Sequence, residues 1–221
     1  MERLAAQLNK RRAYPERQAD KELLALLLRL KETLELETPI RDLALSPEER
    51  TMIRGYQFFT GKPTLVVLNV GDQGSGDPGA YVSYAHRRSD VICLRGGLEM
   101  EIAQLDDEEA ALFLQEYGIA EPGLHRMIRL SYALLGLHSF FTVGEDEVRS
   151  WTIPAGATAL EAAGAIHSDL ARGFIRAEVI GYDDLIAAGS LDAARKLGTL
   201  RLQGRDYVVK DGDILNIRFN V

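Results

Sequence analysis

Leucines recur along residues 23–34 at the spacing of one face of an α-helix. The spacings are four, three and four positions, with charged residues between them, at Leu23, Leu27, Leu30 and Leu34. This pattern predicts an amphipathic helix with a heptad-like seam that needs a covering partner. Residues 1–12 carry Leu4 and Leu8 one turn apart, and we expect them to supply part of that cover before Tyr14-Pro15 interrupts the pattern.

The pattern changes from helical to β-type after residue 60. The segment 46–49 (SPEE) has a Ser cap, a Pro at the first helical position and a Glu three residues after the cap, which predicts a helix to about residue 59. Continuous apolar runs at 64–68 and 91–94, with a helix predicted over 81–88, indicate a βαβ unit with buried parallel strands. Further helices are predicted over 98–103, 106–116 and 122–135.

Alternation of apolar and polar positions returns at residue 148. It predicts strands over 148–153 and 175–182, with a helix over 158–171 between them. A short helix over 183–188 precedes two closing strands, 205–209 and 214–219, joined by a turn at 210–213. The predicted class is α+β, with a helical segment in 1–60, half of an α/β domain in 61–143 and a β-grasp (ubiquitin-like) domain in 144–221.

Composition limits the possible partners and compartment. The hydrophobic fraction of 46% is ample for a packed core, and the net charge of −7 argues against a protein that coats nucleic acid through its overall charge. Any nucleic-acid contact must then be local. Cys93 is the only cysteine, so we expect a buried thiol and a cytoplasmic location. No apolar run approaches the ~20 residues that span a bilayer, so no membrane partner is expected.

The familiar phosphate and metal motifs fail on spacing. In 55–63 the glycines are separated by five residues and Pro63 takes the magnesium-ligand position, so this segment is not a P-loop. The segment 74–79 (GSGDPG) matches G-x-G-x-x-G, but it begins several residues after the predicted strand, which favours a flexible loop. The four histidines lack short metal spacings. We therefore predict no catalytic residues and no metal ligands.

Asn69-Val70-Gly71-Asp72 follows the first predicted parallel strand. Ligands of open α/β sheets bind at the carboxyl ends of the strands. An asparagine followed three residues later by a carboxylate can read the edge of a nucleobase. The alternative is an Asx-turn that simply leaves the strand.

Long strings of this sequence resemble the Obg-like ATPases of the YchF type. IHSDLARGFIRAEVIGYDDL and LRLQGRDYVVKDGDILNIRFNV are similar to that family's TGS domain. The similarity continues upstream through AEPGLHRMIRLSYALLGLHSFFTVG, GLEMEIAQLDDEE and ELETPIRDLALSPEE, the last of which resembles the exit from the family's helical hairpin. The resemblance implies part of that hairpin, a remnant of the nucleotide-binding domain and a TGS β-grasp domain.

The resemblance also implies a weakened nucleotide site. In the family the P-loop and both switch regions precede the hairpin, so they are expected to be absent from these 221 residues. The family's Asn-x-x-Glu is similar to 69–72, with the acid one methylene shorter and so retracted by about 1.5 Å. The second base-contacting loop, usually Ser or Cys followed by Ala, falls on Arg95-Gly96. The implied base-binding residues are Asn69, Val70, Asp72 and Gly96, with no cofactor required and at most weak ATP or GTP binding.

The TGS resemblance implies partners linked to RNA. Related TGS domains in threonyl-tRNA synthetases and stringent-response enzymes, and the ribosome association of Obg-like ATPases, imply a ribosomal or RNA-linked role. The candidate RNA or partner contacts are Arg149, Arg172, Arg176 and Arg205, together with Lys10, Arg11 and Arg12. The alternative for each is a solvated surface cation.

Three functions follow from these expectations. The leading one is a non-catalytic YchF-like binding module that contacts RNA, the ribosome or a regulatory ligand. The second is an ATPase completed in trans by a separate P-loop subunit, because half a sheet leaves a strand edge uncovered. The third is a repacked paralogue that forms a homodimer over its exposed apolar surface.

Overall fold

The computed structural model describes Arg3, Ala6, residues 18–144 and residues 146–220. They form two compact units, Met1–Leu130 and Ser131–Val221. Helices and sheets occur in both units, so the predicted mixed α and β composition is confirmed. The sequence-based boundary between residues 143 and 144 falls in the turn of a hairpin, whereas the compact units divide between Leu130 and Ser131.

Helix α1 (Gln18–Glu35) confirms the predicted amphipathic helix. Leu27 and Leu30 are fully buried on its seam, and Leu23 is nearly so. The seam is covered by a segment that follows the helix, in which the contacting residues are Ile40, Leu43, Leu45, Met52, Ile53, Tyr56 and Phe58. Cover by residues 1–12 was also predicted, and that prediction lies outside the described residues except for Arg3 and Ala6.

Helix α2 (Pro47–Ile53) begins at the predicted capping box. Ser46 Oγ accepts a hydrogen bond from Glu49 N at 3.2 Å, and Ser46 N donates to Glu49 Oε2 at 2.9 Å. The prediction extended this helix to residue 59, but the α-helix ends at Ile53. A 3₁₀ turn (Arg54–Tyr56) follows, and the left-handed backbone of Gln57, with φ of 52°, ends the helical path.

Strands β1 (Thr64–Val70) and β2 (Ser89–Arg95) pair in parallel, as predicted, and within the described chain they form a two-stranded sheet. Cys93 is buried in β2, which confirms its expected environment. The helix predicted over 81–88 is wrong, because a 3₁₀ turn (Pro78–Ala80) leads into irregular chain. Asp42 holds that chain by accepting from Arg87 N and bonding the ring of His86, both at 2.8 Å.

Three helices follow β2, close to their predicted positions. They are α3 (Gly96–Ile102), α4 (Asp107–Glu116) and α5 (Gly123–Leu135). Asp106 caps α4 by accepting from Glu109 N at 2.9 Å. Gly118 and Gly136 follow the ends of α4 and α5 with φ of 62° and 67°, the left-handed conformation expected of C-terminal caps.

The second unit is built on a five-stranded sheet with the order β4-β3-β7-β5-β6. Strands β3 and β7 are parallel, and the other neighbours are antiparallel. The strands are β3 (Leu137–Val143), β4 (Val148–Pro154), β5 (Phe174–Gly181), β6 (Arg201–Gln203) and β7 (Asp213–Phe219). Neither β3 nor β6 was predicted.

Helices pack on both faces of this sheet. Helix α6 (Ala159–Ile166), followed by α7 (Ser168–Arg172), covers a core that contains Phe140, Ala177 and Leu215. The predicted continuous helix over 158–171 is wrong, because His167 has extended backbone and separates α6 from α7. On the other face, α8 (Tyr182–Ala188) and α9 (Leu191–Leu197) pack around Ile180 and Ile214. Helix α9 was not predicted.

The closing strand predicted over 205–209 is also wrong. This segment makes a turn and a single bridge between Val208 and Thr158. Its backbone instead meets the start of α6, where Ala159 N donates to Tyr207 O at 2.8 Å. Leu160 N also donates to Arg205 O at 3.2 Å. Because these carbonyl groups already bond α6, they are not available to pair with a neighbouring strand.

Candidate functional site

The predicted base-reading residues meet where β1 and β2 end. Because the strands are parallel, Val70 pairs with Arg95, which brings the residues at the carboxyl ends of both strands together. Gly96 N donates to Asn69 Oδ1 at 3.1 Å. The structure therefore places Asn69, Val70 and Gly96 side by side. Asn69 keeps its Nδ2 group as the donor that could meet an acceptor on a base edge.

Asp72 lies against the start of α3. A Cβ atom on Gly97 would come within 2.9 Å of Asp72 Oδ1, and one on Gly96 would come within 2.6 Å of Asn69 Oδ1. Two consecutive glycines therefore allow α3 to begin in contact with both polar side chains. Sequence reasoning missed Gly97, although a Gly-Gly pair directly after a buried strand is a visible signal of close approach.

Arg95 occupies the position where the resemblance implies a small residue. Its guanidinium donates to Tyr117 O and to Gly74 O, both at 3.4 Å, and so joins the loop after β1 to the end of α4. A cavity of about 370 Å³ lies beside it, and Val70, Arg95, Glu99, Glu121 and Arg126 are among its lining residues. Arg95 is therefore a bulky cation in the wall of this cavity.

The four candidate RNA contacts that the structure describes lie on separate elements. Arg149 lies over the ring of Trp151, 4.5 Å from its centroid, and Arg172 pairs with Asp169 at 3.2 Å. Arg176 is on β5, and Arg205 is in the turn after β6. Lys10, Arg11 and Arg12 lie outside the described residues.

Arg176 nevertheless belongs to a cationic surface on the sheet. It stands opposite Arg218 in the register of β5 and β7. Arg218 donates to the carboxylate of Glu178, and Arg195 of α9 approaches the same carboxylate at 3.5 Å. We call this surface, formed by Arg176, Arg195 and Arg218 around Glu178, the arginine face. Sequence reasoning missed Arg195 and Arg218; the alternation of Asn216 and Arg218 on β7 was the available signal.

Glu178 is only 6% exposed and remains ionised in this setting. Burial by itself would raise the pKa of Glu178, but the hydrogen bond and charge of Arg218, aided by Asn216 and Arg195, lower that pKa below the ordinary glutamate value of 4.5. The three arginines are all exposed. Arg195 also pairs with the exposed Asp192 at 2.9 Å. Three guanidinium groups therefore face two carboxylates, and the arginine face keeps a smaller excess of positive charge.

The part of the chain that the structure describes contains neither a membrane-spanning helix nor a candidate metal site. No helix there has the length and apolar character needed to cross a membrane. No group of three or more His, Cys, Asp or Glu side chains is arranged to hold a metal ion among residues 18–144 and 146–220.

Comparison with known proteins identifies similarity to YchF proteins. The family model YchF-GTPase_C, described as a protein of unknown function (DUF933), matches residues 137–220, which contain the whole five-stranded sheet. A protein of Bacillus subtilis named "Ribosome-binding ATPase YchF" is 44% identical over 203 residues, covering 89% of this chain and 56% of that protein. The protein of the same name from Haemophilus influenzae is 43% identical over 229 residues, covering 100% of this chain and 61% of its own length.

A solved structure agrees with the sequence matches. The Schizosaccharomyces pombe YchF GTPase superposes with a TM-score of 0.75 and 27% identity, over 98% of this chain and 61% of that one. YchF relatives therefore cover this chain almost completely, and its carboxyl-terminal part matches the YchF carboxyl-terminal family. The chain spans about three-fifths of the length of the relatives it matches.

Proposed function

We propose that these 221 residues form a ribosome-linked binding module and act by binding, not by hydrolysing a nucleotide. The observation that carries the ribosomal part is the similarity, over almost the whole chain, to proteins named for ribosome binding. The arginine face supplies the surface for it. The partner we propose is the phosphate backbone of ribosomal RNA.

We also propose that the second unit is a TGS domain of the β-grasp class. Three features support this assignment: the β3–β4 hairpin, the helix α6 that follows it and packs across the sheet, and the return of β5 and β7 into the same sheet. The close match of residues 137–220 to a YchF carboxyl-terminal family points in the same direction. On this assignment the sheet is a rigid platform for the arginines.

The arginine face has the chemistry to hold phosphate groups. Guanidinium groups bind phosphate oxygens in a bidentate manner, and such charge-assisted hydrogen bonds are stronger than neutral ones. The buried carboxylate of Glu178 holds the side chains of Arg195 and Arg218 in place. Less side-chain entropy is therefore lost when a phosphate binds. Contacts to the phosphates position a protein on RNA without reading its sequence.

At the end of β1 we propose at most weak adenine-nucleotide binding and no required cofactor. The Gly96 amide that a base would use is already bonded to Asn69, and Arg95 stands where a small residue is implied. Asp72 is one methylene shorter than the implied glutamate, which shortens its reach by about 1.5 Å. The 221 residues also contain no match to G-x-x-x-x-G-K-[ST] that could grip a triphosphate.

Co-sedimentation of the purified protein with ribosomes, run beside an ATP hydrolysis assay, tests this proposal. We expect the protein to pellet with ribosomes at low salt, to be released as salt rises, and to release no phosphate above the background rate. Protein-dependent ATP turnover contradicts the non-catalytic part. Failure to pellet at low salt contradicts the ribosomal part, so the two claims are tested separately.

A further inference from the structure

The first unit contains a second cavity that the proposed function does not use. Its volume is about 700 Å³, within the usual range for ligand pockets. Six of its lining residues are cations and none is acidic: Arg41, Arg50, Arg54, Lys62, Arg87 and Arg88. We call it the cationic cavity.

The cationic cavity lies at the opposite end of β1 and β2 from Asn69. Lys62 and Arg88 precede the two parallel strands, whereas Asn69 and Gly96 lie at their carboxyl ends. A seven-residue strand spans about 20 Å at ~3.3 Å per residue. The cavity is therefore a separate site and not an extension of the base-reading end.

The six cations of the cationic cavity form no close ion pair within the described chain, and the carboxylate of Asp42, which interacts with Arg41, offsets only part of their charge. None of the six side chains forms an ion pair with a carboxylate among residues 18–144 and 146–220. Three of them contact neutral groups instead. Arg41 donates to Thr60 O at 3.3 Å, Arg50 Nε donates to Leu45 O at 3.2 Å, and Lys62 lies 5.4 Å from the ring centroid of Phe59. Arg41 Nε is buried without a hydrogen-bond partner. Mutual repulsion of these cations disfavours the empty cavity, and a bound anion would relieve it.

Two strained residues also line the cationic cavity. Gln57 and Arg88 have φ of 52° and 49°, a left-handed conformation that is strained for residues other than glycine. Such strain persists where the surrounding structure holds it, and it is often found at ligand sites.

We infer that the cationic cavity binds a ligand in which two or more phosphate groups are attached to an apolar or aromatic body. Several arginines and a lysine around one space can contact more than one phosphate at once. The buried Ile40 and the partly buried Leu43 and Phe58 give the cavity an apolar wall against which the body of the ligand packs. A nucleoside polyphosphate has this chemistry, and so does the phosphorylated end of an RNA strand.

Calorimetric titration of the full chain tests this inference. Inorganic tripolyphosphate is the first probe, because it has no base and cannot report on the end of β1 that holds Asn69. Arg88→Gly removes a cation and also relieves backbone strain, so the fold is retained. Lys31→Ala is the matched control, because it removes one positive charge from the same unit at a position outside the cavity.

We expect the wild type and Lys31→Ala to bind tripolyphosphate equally, and Arg88→Gly and Arg54→Ala each to weaken binding by about tenfold, the loss typical of one charge-assisted hydrogen bond. ATP should bind more tightly than tripolyphosphate and respond to the same substitutions, because its body meets the apolar wall. Equal binding by Arg88→Gly, Arg54→Ala and the wild type, or no binding of tripolyphosphate at low salt, overturns the inference.

An RNA oligonucleotide with a 5′-triphosphate separates the two sources of ligand. If it displaces tripolyphosphate while the same oligonucleotide with a 5′-hydroxyl does not, the cavity accepts the phosphorylated end of RNA, which supports the inference. If the two oligonucleotides compete equally, the cavity recognises a plain phosphodiester backbone, and the inference of a terminal polyphosphate group is wrong.

Discussion

Asn216 and Glu178 stand opposite each other in the register of β5 and β7, and Asn216 Nδ2 donates to Glu178 Oε2 at 3.0 Å. The other carboxylate oxygen of Glu178 is held by Arg218 and Arg195. A nearly buried anion thus organises the exposed cations of the arginine face. On the proposed function, stability and RNA binding in this unit are therefore coupled through Glu178.

Substitution of Glu178 by Gln should destabilise the protein in a way that depends on pH. The folded pKa of Glu178 is lowered, since its bonds to Arg218, Asn216 and Arg195 outweigh the effect of burial. Its stabilising contribution is therefore complete above the ordinary value of 4.5 and is lost as pH falls through the lower folded pKa. We expect E178Q to lose about 1.5–3 kcal/mol at neutral pH, measured by urea unfolding, with a smaller deficit in acid.

Glu147→Gln is the control for this experiment, because Glu147 is exposed in the same unit. Its free energy of unfolding should follow that of the wild type at every pH. A deficit for E178Q that stays constant from neutral pH into acid would show that the charge of Glu178 is not the stabilising feature.

Tyr207 should ionise only at unusually high pH. Burial, followed by its hydrogen bond to Asp213 Oδ2 at 2.8 Å, raises the pKa of Tyr207 to about 12. The raised pKa contributes stability that is complete below the ordinary value of 10.0 and is lost as pH rises toward 12. Ultraviolet titration should show one tyrosine that ionises near pH 12 and is missing in Tyr207→Phe. This variant should also lose about 1 kcal/mol of stability near neutral pH. An unchanged titration curve in Y207F would contradict this account.

Gly96→Ala should perturb the end of β1. The added Cβ would lie 2.6 Å from Asn69 Oδ1, so the asparagine must move and its bond to the residue 96 amide must distort. We expect a loss of about 1–3 kcal/mol in chemical denaturation, as for overpacked sites. Gly71→Ala is the matched control, because a Cβ there meets no atom within 4 Å. Equal stability of the two variants would mean that the contact between Asn69 and α3 is unimportant.

Asp72→Glu should strengthen adenosine binding. The longer side chain restores about 1.5 Å of reach toward a base edge. If that carboxylate then makes one charge-assisted hydrogen bond, affinity rises by about tenfold in calorimetry. Adenosine is the right probe because it carries no phosphate and does not report on the cationic cavity. Weaker binding by D72E than by the wild type would contradict the proposed cause of the weak site.

Local signals in the sequence were sufficient for much of the first unit. The leucine spacing of α1 and the capping box at Ser46 involve residues within one or two turns of each other, so the pattern alone predicts them. The parallel pairing of β1 and β2 followed from two short apolar runs. The prediction of a helix over 81–88 is wrong because Asp42, which is distant in sequence, bonds His86 and Arg87 and fixes that segment in another conformation.

The second unit depends more on contacts between distant residues. The segment 205–209 has the composition of a strand, but it lies outside the sheet. Its backbone accepts hydrogen bonds from the start of α6, and the hydroxyl of Tyr207 donates to Asp213. The arginine face depends on strand register and on α9. The spacing of residues along the chain reveals neither of them.

A separate P-loop subunit and a homodimer stay predictions.

Ribosome co-sedimentation of the Arg176→Ala/Arg218→Ala double variant tests the central claim most directly. The Arg201→Ala/Lys210→Ala double variant is the control, because it removes the same charge from exposed positions of the same unit outside the arginine face. Circular dichroism should first show that both variants are folded. We predict that the first variant loses about tenfold or more in ribosome affinity, with a salt dependence lower by about two phosphate contacts, while the control binds like the wild type. Equal binding of the two double variants, at every salt concentration, would contradict the account.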